Sequence, residues 1–120
     1  MTRTDSNAAF LVIDQGGHAS RALVYGARGR LLARGEREIR ARRPDPTRAE
    51  YDAAELWNSI ADAVAAALED APALQAAGLA TQRSNVACWD RESGAPLGPV
   101  LSWQDRRAWR AVEELRPTNG

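Results

Sequence analysis

From Phe10 to Tyr25 the chain reads FLVIDQGGHASRALVY. An apolar run, Phe10 to Ile13, ends at a carboxylate, Asp14. A Gly16-Gly17 pair follows, then a second strand-forming run, Arg21 to Tyr25. Two short apolar runs joined by glycines predict a β-hairpin, with strands over about residues 9–15 and 20–25. The unbroken apolar character of the first run predicts a strand covered on both faces. Gly26-Ala27-Arg28-Gly29 makes a second turn, and a loosely alternating strand over about 31–40 completes an antiparallel three-strand meander.

Beyond the Pro44-Asp45-Pro46 loop the period changes. Asp52-Ala53-Ala54-Glu55 reads as a capping box, with Asp52 as N-cap and Glu55 reaching back to it. The helix it opens runs to about residue 70 and stops before Pro72. Leu56, Trp57, Ile60, Val64 and Leu68 recur at three- and four-residue spacing and predict its buried stripe. A strand over 77–82 follows this crossover helix and is expected to run parallel to its partner in the sheet. Strands over 86–90 and 100–103 and a terminal helix over 105–115 complete the expected α/β order.

Length and composition narrow the class. The chain has 120 residues, of which 44% are hydrophobic, enough for one small domain with a core. The formal net charge is zero, so no overall attraction to nucleic acid or membrane is implied. All 16 basic residues are Arg. Eight of them lie between Arg28 and Arg48, against Glu36, Glu38 and Asp45. No aromatic residue interleaves them, so they read as a solvated edge rather than a nucleic-acid face. Cys88 is the one cysteine, which fits a reducing cytoplasm, and it is expected to be buried on its strand. The polar residues 1–8 read as a disordered tail without a signal-peptide pattern, and no apolar run is long enough to span a membrane.

Candidate chemistry centres on Asp14. A carboxylate at a strand end beside two glycines can hold a divalent cation, directly or through water, where the backbone closely approaches an anion. A plain hairpin turn, with Asp14 accepting from local N–H groups, is the other reading of these residues. No Gly-Lys-Ser/Thr follows, and the glycine spacing is not that of a dinucleotide fingerprint.

Three motifs in order extend this picture. They are Asp14-Gln15-Gly16 with Ser20-Arg21; Thr81-Gln82-Arg83 with Trp89-Asp90-Arg91-Glu92-Ser93-Gly94-Ala95-Pro96-Leu97; and Ser102-Trp103-Gln104-Asp105-Arg106-Arg107. Over residues 10–109 the chain resembles the start of an FGGY-type carbohydrate kinase, and most of all the glycerol kinase branch. The resemblance implies an actin/hexokinase-like (ribonuclease H-like) fold of two α/β domains, with residues 9–120 as an incomplete first domain. It implies transfer of the ATP γ-phosphoryl group to a hydroxyl of a polyol or sugar, with Mg2+. Asp14 would help place the metal, through water, and the phosphates. Gly16 and Gly17 would form the phosphate loop, with Arg21 beside it. Arg83, followed by Ser84, would hydrogen-bond substrate hydroxyls. Trp103 would wall the substrate carbons, with Gln104 and Asp105 beside the pocket.

Physical chemistry agrees with these roles. Phosphoryl transfer rests on positioning and charge neutralisation, and a polyol offers hydroxyl edges and a C–H face. Structural readings stand beside them: Arg83 pairing with a surface carboxylate, Trp103 in the core, Trp57, Trp89 and Trp109 as packing residues, and His18 as a solvated turn residue. In the family the catalytic aspartate and the adenosine-binding domain lie beyond the position of Gly120. The resemblance therefore implies an N-terminal fragment, inactive alone, whose partners are a small polyol or sugar and the remainder of the kinase. It leaves room for a homo-oligomer and implies exposed apolar faces. Glycerol kinases usually carry two threonines and a serine where Gly17, His18 and Ala19 stand, and a glutamate at Ser84. These departures leave the polyol or sugar open and motivate an alternative, a non-catalytic kinase-derived binding or regulatory module. An ATPase closer to actin or a chaperone is a third reading, opposed by the Gln82-Arg83 and Trp103-Gln104 motifs.

Overall fold

Strand formers and tight turns build the first three strands: β1 (Ala9–Gln15), β2 (Ala19–Gly26) and β3 (Leu31–Glu38). They form the expected antiparallel meander, β1 and β2 in register from Ala9 opposite Gly26 to Gln15 opposite Ser20, and β2 and β3 from Ala19 opposite Glu38 to Val24 opposite Ala33, with a one-residue shift before Tyr25 opposite Leu31. The computed structural model describes residues 8–116. After β4 (Glu50–Tyr51) and α1 (Ala53–Leu68), β5 (Leu74–Thr81) returns parallel to β1, giving the sheet order β3-β2-β1-β5. β6 (Val100–Leu101) pairs antiparallel with β4, and α2 (Trp109–Leu115) follows.

The contact between α1 and the sheet decides which face of the helix is buried. Gly35 lies on β3 directly beneath the helix. A Cβ built there would stand 2.0 Å from the Ala63 carbonyl oxygen and 2.9 Å from the Ala67 nitrogen. Backbones this close leave room only for small side chains. The buried row is therefore Ser59, Ala63 and Ala67, each four residues apart and so on one face. The bulkier stripe expected from the sequence is rotated away: Val64 and Leu56 are half-buried, Leu68 is exposed, and Trp57 is 69% exposed. Ala9, Leu11, Ala22 and Val24 complete this core from the sheet side, with Ile13, Ala33, Ala71 and Leu74 packed around it. Beneath the helix the Ser20 and Ser59 hydroxyls meet at 2.8 Å. Ser59 donates to the Leu56 carbonyl, so the bridging proton comes from Ser20.

Other expectations are corrected in the same way. β1 is covered on one face only, because α1 packs on one side; Phe10 and Val12 point to the open side and are exposed. This fits the expectation of exposed apolar faces. Ala8, placed in the tail by the sequence, is buried and accepts a hydrogen bond from the Ala27 N–H, while residues 1–7 lie outside the described residues. β4 was not expected. Asp52 caps α1 by accepting from the Glu55 N–H at 3.0 Å, which holds its carboxyl below the usual range. The Glu55 side chain turns instead to Arg42, at 3.2 Å.

Residues 86–90 form no strand. Only isolated bridges join Val86 to Leu101 and Trp89 to Pro96. Pro96 and Pro99 lack the N–H groups a ladder needs. Asp90 closes the intervening turn by accepting from the Ser93 hydroxyl and N–H, which lowers its pKa. Cys88 is consequently exposed rather than buried.

The terminal helix begins at Trp109, not Asp105, because residues 102–107 are tied to the segment before β4. The Ser102 and Arg106 N–H groups donate to the carbonyls of Ala49 and Thr47. Asp105 Oδ2 accepts from the Ala49 N–H at 2.8 Å and from Arg107 Nη2 at 2.7 Å, while Oδ1 accepts from Arg107 Nε at 2.8 Å. Arg107 also pairs with Glu50 on β4. The Asp105 side chain is only 6% exposed. Its carboxyl is held well below the usual range, chiefly by the Arg107 guanidinium, with the Ala49 and Arg107 N–H groups adding and burial opposing.

Two outcomes follow for stability. Gly35→Ala should cost about 2 kcal/mol or more in urea unfolding, because a backbone rather than a flexible side chain must move. Gly78→Ala, whose Cβ meets nothing within 4 Å, should change stability by less than about 0.5 kcal/mol. Equal effects would contradict the close helix–sheet contact. A carboxyl with a lowered folded pKa stabilises the fold above its unfolded pKa, and that contribution fades as pH falls towards the folded value. Asp105→Asn should therefore melt well below the parent at neutral pH, and the gap should shrink steadily below about pH 4. A gap independent of pH would exclude the ionised clamp.

Candidate functional site

The β1–β2 turn is built from Gly16, Gly17 and His18. The Gly16 N–H donates to the Ala19 carbonyl at 2.9 Å, and the Ile39 N–H donates to the His18 carbonyl at 2.9 Å. The Tyr51 hydroxyl of β4 donates to the Gly17 carbonyl at 3.0 Å. Gly17 makes room for this packing: a Cβ there would lie 3.2 Å from Gln82 Oε1 and 3.6 Å from the Tyr51 oxygen. The glycine at this position thus goes with a turn held from outside by Tyr51 and crowded by Gln82.

Asp14 and Arg21 are cross-strand partners at the open end of β1 and β2. Their side chains pair at 3.4 Å, both partly exposed. Arg21 continues to Glu36 at 3.5 Å, and Glu36 to Arg34 at 2.7 Å, so charges alternate along the solvent side of the meander. Most of the arginine-rich stretch is neutralised locally in this manner, as a solvated edge should be; Arg42 meets Asp52 and Glu55, and Arg48 meets Asp45. Asp45 is held below the usual range by the Thr47 hydroxyl and N–H.

Trp103 and Gln104 extend from the segment that Asp105 ties down. Asn85 Oδ1 accepts from the Trp103 N–H at 2.9 Å, and Ser102 Oγ accepts from the Gln104 N–H at 3.2 Å. Trp103 is 59% exposed, which removes it from the core. Gly17, His18, Arg43, Tyr51, Gln82, Trp103 and Gln104 converge around a hollow of about 510 Å3. Gln82 and Trp103 also line a neighbouring hollow of about 470 Å3 with Arg83 and Ser84. Ser84 is the one residue other than glycine with positive φ among the described residues, at 63°. That left-handed conformation costs a non-glycine residue about 1 kcal/mol or more, and it turns the chain sharply after β5.

Expected site residues thus fall into two groups. Gly17, Arg83, Ser84, Trp103 and Gln104 line the paired hollows. Asp14, Gly16 and Arg21 sit at the adjoining strand ends and turn. Asp105 differs from expectation: both its oxygens are committed to Arg107 and Ala49, so it positions Trp103 and Gln104 rather than offering a free oxygen. Tyr51, Arg43 and Gln82 were not among the expected site residues. Gln82 stood within a quoted motif, but nothing local marked the other two. Among the described residues no three His, Cys, Asp or Glu side chains gather to hold a metal ion.

Comparison with known proteins gives this geometry a lineage. The chain is 38% identical over 114 residues to the glycerol kinase of Bordetella pertussis and 36% identical over 108 residues to the apulose kinase of Pectobacterium atrosepticum, covering 92% and 88% of this chain. It spans about 22% of the length of each. Among solved structures, Plasmodium falciparum glycerol kinase with ADP superimposes with a TM-score of 0.85 at 22% identity, over 94% of this chain and 24% of that one. Xylulose kinase from Rhodospirillum rubrum gives 0.80 at 23% identity, over 90% and 23%. These superpositions establish the actin/hexokinase-like fold of sugar kinases. Residues 9–120 match the N-terminal domain of the FGGY family of carbohydrate kinases, and the chain belongs to that family.

Proposed function

We propose that these residues supply the phosphate loop and the substrate wall of an ATP-dependent kinase acting on a polyol or sugar. The observation that carries this reading is the convergence of the Gly17 turn, Gln82, Trp103 and Gln104 on one hollow, with Arg83 and Ser84 beside it. Trp103 offers an apolar ring to the C–H face of a polyol, and Arg83 offers donors to its hydroxyls.

The donor set suits ATP and Mg2+. Asp14 is partly exposed and its partner Arg21 binds only one of its oxygens, at 3.4 Å. A single such carboxylate fits a cation that keeps most of its water and takes its other ligands from phosphate. When bound, the nucleotide and metal supply the transferable phosphoryl group and neutralise its charge. Asp14 would hold the metal's water, Gly16 and Gly17 would allow the phosphates close to the backbone, and Arg21 would add positive charge. Arg83, Trp103 and Gln104 would orient the acceptor, while Asp105 and Arg107 keep the Trp103 segment in place.

No carboxylate lines either hollow among the described residues. His18 is the one imidazole on their lining; we propose that the base for the acceptor hydroxyl is instead an aspartate in the remainder of the kinase, as the family resemblance implies, so that the 120-residue chain alone phosphorylates nothing. We place the enzyme in the cytoplasm, consistent with the unpaired Cys88.

A coupled ATPase assay of a kinase that includes these residues, run over a panel of polyols and sugars, tests the reading; ATP turnover indifferent to every member would overturn it. In the active enzyme Arg83→Ala should weaken acceptor binding by about 1.5–3 kcal/mol, read as a raised KM. An unchanged KM would remove Arg83 from the site. Asp14→Asn should lower kcat far more than acceptor affinity, and equal losses in both would contradict its place at the phosphates.

A further inference from the structure

Three carbonyls stand in the β1–β2 turn, and each is held by its own donor. Gln15 Nε2 donates to the Gly16 carbonyl at 2.7 Å, the Tyr51 hydroxyl to the Gly17 carbonyl at 3.0 Å, and the Ile39 N–H to the His18 carbonyl at 2.9 Å. The N–H groups of Gly17 and His18 meet no protein acceptor among the described residues. The turn thus spends its acceptors on the protein and leaves two successive donors free, which is the polarity an anion needs.

The peptide between Gly17 and His18 is the joint at which this polarity could be lost. No peptide bond among the described residues is cis, and in a trans peptide the carbonyl and the N–H point to opposite sides. Holding the Gly17 carbonyl against Tyr51 therefore turns the His18 N–H away from that hydroxyl. Gly17 does not enforce this by itself: without a Cβ it lets the following peptide turn over. The reversed arrangement would present the Gly17 carbonyl oxygen where the His18 N–H now stands, and that oxygen would repel a phosphate.

Tyr51 is well placed to decide between the two. The residue is 5% exposed and packs with Ile39 and Val100 in one small core. The same core therefore presents two donors, the Ile39 N–H and the Tyr51 hydroxyl, to successive carbonyls of the turn. The strand that carries Tyr51 is itself held through Glu50 by Arg107, so the hydroxyl has little freedom to follow a moving turn.

We infer that Tyr51 is a positioning residue for phosphoryl transfer: its hydroxyl keeps the Gly17–His18 peptide in the orientation that offers the His18 N–H to the nucleotide phosphates. The inference rests on the reading of this turn as the phosphate loop and adds to it the residue that sets the loop's polarity. A neutral hydrogen bond of this kind biases a two-state equilibrium by about three- to ten-fold. The apparent affinity for the ligand falls with the fraction of molecules in the competent state.

The test is calorimetric titration of a kinase that includes these residues. The probes are a non-hydrolysable ATP analogue with Mg2+ and, separately, adenosine, which by the family resemblance binds the remainder of the kinase. Tyr51→Phe deletes the hydroxyl and keeps the ring. It should weaken binding of the analogue by about three- to ten-fold and leave adenosine within about two-fold of the parent. A parent that binds the analogue tightly, with Tyr51→Phe unchanged, would overturn the inference and leave the phosphate-loop reading standing. A parent that binds the analogue no tighter than adenosine would remove that reading and the inference with it. Equal weakening of both probes, or loss of the cooperative melt in Tyr51→Phe, would assign the hydroxyl to stability alone and also overturn the inference.

Discussion

The approach of α1 to β3 governs the rest of this structure. Gly35 lets the helix backbone rest on the sheet, and that proximity selects Ser59, Ala63 and Ala67 for the buried face. The resulting core is thin. Its largest fully buried side chains are Val24 and Ser20, so hydrophobic burial is modest for each residue and shape complementarity carries much of the specificity. Because the helix lies flat on the meander, β5 can return alongside β1 and bring Gln82 to the turn that carries Gly17.

A second constraint completes the site. The Asp105 carboxylate, the Arg107 guanidinium and Glu50 join the segment before α2 to β4. Tyr51, also on β4, holds the Gly17 carbonyl. The turn after β1, the end of β5 and the Trp103 segment, far apart in sequence, are thereby fixed to one short strand. The cluster is partly buried, with the Arg107 side chain 30% exposed and that of Asp105 only 6%, so breaking it from one side chiefly strands the Asp105 carboxylate. It suits a role in holding an aromatic wall and an amide at fixed places beside a ligand.

Much of this was legible in the sequence, for identifiable reasons. The meander, the Asp52 cap, the crossover helix and the parallel return of β5 all follow from local propensity and period, which tertiary packing left intact. The face of α1 was not legible in the same way. Periodicity marks the bulky residues Leu56, Trp57 and Ile60, whereas the close contact chose the small ones at an equally regular spacing. The segment 86–90 has strand composition, but Pro96 and Pro99 deny it a ladder. Asp105 reads locally as the start of the terminal helix and is spent on a long-range tie instead. The site divides similarly. Arg83, Trp103 and Gln104 carried a motif, Gly17 and Ser84 stood beside motifs where the chain departs from the family pattern, and Tyr51 and Arg43 enter only because tertiary structure brings them to the same hollow.

The central claim is that a polyol or sugar lies against Trp103, between the Gly17 turn and Arg83. Intermolecular nuclear Overhauser effects measure this directly, in a kinase that includes these residues and with its acceptor bound. Contacts from the Trp103 ring protons to the carbon-bound protons of the ligand are the predicted result. Contacts to Trp57 or Trp89, which line a separate apolar hollow with Leu56 and Ile60, with none to Trp103, would contradict it.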